Sequence, residues 1–126
     1  MRKETNLDPY YKRMKLEEIN RLSTMMGDMQ YEAQRWQSLM KYDEFRLERP
    51  DDWEWTKSLR RMDISRAAQS IDRYMISIGQ ESLFGMEEKA RKDFTDDDIR
   101  RIAIRARVLE QVQKATIKAG TVTAAE

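Results

Sequence analysis

The sequence predicts an all-α protein. A long N-terminal helix forms an antiparallel helical hairpin with a second helix, and a third, C-terminal helix completes an elongated three-helix bundle. Three observations predict it. From Ile19 to Met40 the apolar residues Ile19, Leu22, Met26, Met29, Ala33, Trp36 and Met40 alternate at three- and four-residue intervals, the heptad seam of a helix with one narrow apolar stripe. Only four Gly and two Pro interrupt 126 residues, too few for a loop-rich or many-stranded fold. Helix-start signals stand at Asp8-Pro9, at Pro50-Asp51-Asp52 and at Thr95-Asp96-Asp97-Asp98, each placing a capping residue, a proline or carboxylates at the positive end of a helix.

The elements follow in order. Residues 1–8 are polar and expected to fray. A first helix is predicted from Pro9 to Arg49, roughly 60 Å long at 1.5 Å per residue. Its first turns, with Tyr10, Tyr11, Met14 and Leu16, are out of phase with the later seam. Gly27 lies inside it at a cost of about 1 kcal/mol relative to Ala, which points either to close approach by a partner helix or to a tolerated kink. The residue before Pro50 is pushed out of the α region, so the helix ends at Arg49. A second helix is predicted over 51–78, with Trp55, Leu59 and Met62 on one phase and Ile64, Ala68, Ile71, Met75 and Ile78 on another. The change of phase near Asp63 predicts a bend or a change of partner, and Gly79 is a natural stop. Residues 79–94 read as a connector with short helical turns, in which Leu83, Phe84 and Met86 plug one end of the bundle. The third helix is predicted over 95–119, carrying Ile99, Ile102, Ala106, Leu109, Val108, Val112 and Ala115. So broad an apolar surface should touch more than one neighbour. Residues 120–126 read as a loose tail. The length fits one helical domain.

Composition excludes whole classes of chemistry. Without Cys there are no disulfides, thiolate metal sites or cysteine nucleophiles, and without His there are no carboxylate–His metal sites and no Ser-His-Asp triad. The 24 basic and 23 acidic side chains leave a net charge of +1, so electrostatic capture of nucleic acid or an anionic membrane is not built into the whole chain. No run of about 18 apolar residues and no secretory signal is evident, and the expectation is a cytoplasmic or virion protein. No Gly-rich phosphate cradle occurs. The carboxylates Glu17, Glu18, Asp28 and Glu32 share helix faces without a cleft, and read as surface charge. The stretch from Asp93 to Ile104 has the acidity of a calcium loop without its glycine and its final glutamate. No metal, cofactor or small-molecule substrate is predicted.

Two surfaces remain. The Met-rich seam suits an adaptable packing surface; thioether ligation of Cu(I) is the alternative that core packing makes unnecessary. With the tryptophans as anchors, it gives Leu22, Met26, Met29, Trp36, Met40, Trp53 and Trp55 as a candidate protein interface. The third helix offers Arg100, Arg101, Arg105, Arg107 and Lys114 as candidate nucleic-acid contacts, opposed by three aspartates at the end a recognition helix presents to the groove. A 60 Å helix flanked by helices of about 42 and 38 Å would leave an overhang for another copy to support. The leading expectation is therefore a non-enzymatic assembly or interaction protein acting as a homo-oligomer. The His-free, Met-rich helical style resembles that of phage virion or accessory proteins, without a motif that marks a family. The alternative expectation is a nucleic-acid-binding or packaging factor.

Overall fold

A computed structural model describes the backbone of residues 14–118 and the side chains of residues 14–112. The chain is all-α. Helices α1 (Leu16–Met40), α2 (Asp43–Glu48), α3 (Pro50–Ser77) and α4 (Asp96–Lys118) pack on one another, a single 3₁₀ turn spans Arg91–Asp93, and no strand occurs among the described residues. The expected start at Asp8-Pro9, the turns carrying Tyr10 and Tyr11, and the tail at 120–126 lie outside these residues, as do the side chains of Lys114 and Ala115.

The first helix is shorter than its pattern predicts. It ends at Met40, and residues 43–48 form a separate helix with no buried residue. Neither Pro nor Gly marks the break. What closes α1 is tertiary: the indole Nε1–H of buried Trp53 donates to the Leu39 carbonyl at 3.0 Å, while the amides of Lys41 and Tyr42 turn back onto Ser38 and Leu39. Carbonyls left open by the helix end thereby find partners. The consequence reaches further than the boundary. The described α1 spans about 38 Å and α3 about 42 Å, so α3 flanks α1 along its whole length. The overhang expected to need a second copy is absent from the described residues.

Helices α1 and α3 run antiparallel. Trp53 meets Leu39 at one end, and at the other Arg21 lies over the Tyr74 ring. Helix α4 runs alongside α3 in the same direction. Its first residue, Asp96, pairs with Lys57 and Arg61, and Arg105 further along donates to the carbonyl of Leu83, which is held beside Asp72 near the far end of α3. The heptad seam fills the space between: Leu22, Met26, Met29, Ala33 and Trp36 are buried, Met40 half-buried, against Ile64, Ala68, Ile71 and Met75 of α3 and Ile99, Ile102, Ala106 and Leu109 of α4.

Helix α3 stops where the sequence places a glycine. Gly79 takes φ 85°, and the amides of Gly79 and Gln80 bond the Ile76 and Met75 carbonyls, the paired closure that a left-handed residue allows. The connector then doubles back along α3. Asp72, fully buried, accepts the backbone N–H groups of Leu83, Phe84 and Met86, each at 2.8 Å. One turn earlier Gln69 donates to the Met86 and Lys89 carbonyls and accepts from Arg91. This brings Leu83 and Phe94 into the core and delivers the chain to α4. There Thr95 caps the Asp98 N–H while Asp98 accepts the Thr95 N–H, a reciprocal capping pair.

Candidate interaction surface

The structure divides the sequence-predicted interface residues into two groups. Leu22, Met26, Met29 and Trp36 are enclosed within the chain, and Trp53 is buried with its polar atom satisfied. They are the protein's own core, which corrects the expectation that the seam lies open to a partner. Met40 is half-buried against that core. Trp55 differs: two residues from Trp53 on the same helix, it points the opposite way and remains 67% exposed.

Trp55 is not isolated. Leu59 and Met62 are 42% and 40% exposed, one and two turns further along α3. At spacings of four and three they lie on one helix face. Helix α3 is continuous through the phase change near Asp63. The phase of Ile64, Ala68, Ile71 and Met75 meets the core, and the phase of Trp55, Leu59 and Met62 faces solvent.

Charge brackets this stripe. One turn before Trp55 stand exposed Asp51 and Asp52, and one turn after Met62 stands exposed Arg66. Among the described residues the ion pairs of Asp52 and Arg66 are local, with Arg49 at 2.6 Å and Asp63 at 3.5 Å, exposed pairs of the kind worth under about 1 kcal/mol. The surface is therefore acidic at its N-terminal end, apolar in the middle and basic at its C-terminal end. Its backing is firm: on the opposite side Lys57 and Arg61 clamp Asp96 at 2.7 and 2.9 Å, and Lys57 also lies over the Trp53 ring.

The candidate nucleic-acid residues are not gathered into one free basic face. Arg100 and Arg101 both pair with Asp97, at 3.3 and 2.6 Å, and Arg105 is bonded to the Leu83 carbonyl. Arg107 is exposed, and the side chain of Lys114 lies outside the described residues. Arg101 and Arg105, with Ile104 and Val108, instead form one wall of an open groove of about 660 Å³ whose other wall is Ser82 to Met86.

Two carboxylates are buried: Asp72, which the sequence does not single out, and Asp98, whose sequence signal is only that of a helix start. Burial pushes the Asp72 carboxyl above its ordinary range, against the opposing pull of the Met86, Phe84 and Leu83 amides. Asp98 is held below the ordinary range, first by its bond to Lys89 and then by the Thr95 amide. Both serve internal bonds that hold the connector and the start of α4. Among the described residues no group of three acidic side chains is arranged to hold a metal ion, and no helix is long and apolar enough to cross a membrane. No protein-family model, curated protein or solved structure matches the chain.

Proposed function

We propose that this protein is a non-enzymatic assembly component that works by helix packing, and that its contact surface is the outer face of α3, with a second copy of the chain as partner. One observation carries the reading: Trp55, Leu59 and Met62 form an exposed apolar stripe on a helix whose other side is fully committed to the core. Single exposed apolar residues are ordinary on protein surfaces, but a row of them that includes a tryptophan has the composition of an interface hot spot. The mixed charge at the two ends favours self-recognition, because a surface carrying both signs can complement a copy of itself. Binding of nucleic acid through α4 has less support, since the exposed Asp97 carboxylate lies 3.3 Å from Arg100 and 2.6 Å from Arg101, where it would repel phosphate, and Arg105 is turned to the Leu83 carbonyl.

Sedimentation equilibrium of the purified chain over a wide concentration range tests the proposal. The expected result is reversible self-association that Trp55→Ala weakens by tenfold or more, about 1.4 kcal/mol, with the circular dichroism and melting of the monomer unchanged. A wild-type chain that stays monomeric at millimolar concentration would remove the proposal.

A further inference from the structure

Resting on that self-association, we infer that two copies meet antiparallel across a two-fold axis at Leu59, with Asp51 of each copy recognising Arg66 of the other. The residues on the outer face of α3 are Asp51, Trp55, Leu59, Met62 and Arg66, at spacings of four, four, three and four, all five partly or fully open to solvent. A two-fold axis between Ser58 and Leu59 sets Trp55 against the partner's Met62 and Asp51 against the partner's Arg66. The two Leu59 side chains then meet beside the axis, flanked by the small Ser58. An isologous contact of this kind uses one patch twice and closes on itself.

Charge decides the orientation. A parallel pair would set Asp51 on Asp51 and Arg66 on Arg66, repulsive at both ends. The antiparallel pair makes both ends attractive. The internal bonds of Asp52 to Arg49 and of Arg66 to Asp63 are exposed and local, so they exchange readily for intermolecular ones. Asp51 has no ion pair with a described residue and is free to serve. The contact is about 24 Å long and one helix wide, well short of the ~800 Å² per partner that a stable dimer hides. The pair is therefore weak, concentration-dependent and sensitive to salt.

The test is a charge-reversal cycle on the full chain, read by sedimentation equilibrium at low ionic strength. Asp51→Lys sets lysine against arginine, and Arg66→Glu sets aspartate against glutamate, so each variant alone should dimerise about tenfold more weakly than wild type. The double variant restores opposite signs at both ends and should return to near wild-type affinity. Any cost of Asp51→Lys to its own helix is common to the single and double variants, so the recovery is diagnostic. Circular dichroism checks that each variant folds. Single variants that dimerise as well as wild type, or a double variant as weak as the singles combined, would overturn the antiparallel arrangement. If wild type still self-associates through Trp55 in that case, the proposed function stands and only the orientation falls. A monomeric wild type removes both.

Discussion

Asp72 is the residue on which the second half of the chain turns. Its two carboxylate oxygens take three backbone N–H groups from Leu83, Phe84 and Met86, donors that would otherwise be left unpaired beside the core. Asp72→Asn preserves shape but replaces one acceptor oxygen by an NH₂, which must face at least one of those donors. The expected loss is about 2–4 kcal/mol, measured by urea unfolding. Asp72→Ala should cost at least as much. An Asp72→Asn protein as stable as wild type would mean that the bond lost in that variant contributes nothing. The sequence offered a clue that periodicity obscures. Gln69 and Asp72 lie three apart among the apolar positions of α3 and read as ordinary polar residues on an amphipathic helix. Only the need of a glycine-containing connector for hydrogen-bond partners would have singled them out.

Among the elements, α1 separates what periodicity reveals from what it does not. Its buried side was legible: Leu22, Met26, Met29, Ala33 and Trp36 follow the heptad spacing and are all in the core. Its end was not, because α1 is closed by an indole fourteen residues away in sequence and by no local stop signal. The same limit explains the assignment of the seam to an interface, since spacing reports that a stripe must be covered without saying by which chain. The outer phase of α3 was visible as Trp55, Leu59 and Met62, but only the structure distinguishes it from the core phase. Two substitutions test these points. Trp53→Phe keeps an aromatic side chain but removes the indole N–H from the Leu39 carbonyl and leaves a small cavity at a buried site, and should lower stability by about 1–3 kcal/mol, read from the urea midpoint. Gly27 is exposed, and a Cβ added there meets no described residue within 4 Å. Close approach by a described residue is therefore not its role, and Gly27→Ala should stabilise the protein by about 0.5–1 kcal/mol. A loss in place of that gain would point to a contact at Gly27 from outside the described residues.

At the scale of the whole molecule, carboxylates hold the connector to α3 at one end and to α4 at the other, and their titration gives the fold a two-sided response to acid. Asp98 lies below its ordinary value of 3.8 in the folded protein because Lys89 and the Thr95 amide favour its charged form. The stability it lends is complete above that value and is lost as pH falls below it, through the folded-state pKa. Asp72 has the opposite sign. Its folded-state pKa is raised above 3.8 by burial, so its contribution is complete below 3.8 and declines as pH rises through the folded value. Urea unfolding from pH 3 to pH 7 should therefore show contrary trends in two variants. The deficit of Asp98→Asn relative to wild type should be largest near neutrality and close as pH drops below 3.8. The deficit of Asp72→Asn should grow on acidification from neutrality, as the buried wild-type carboxyl gains its proton and the amide gains nothing. If both deficits move in the same direction with pH, burial and ion pairing do not divide the two carboxylates in this way, and one of the two assignments is wrong.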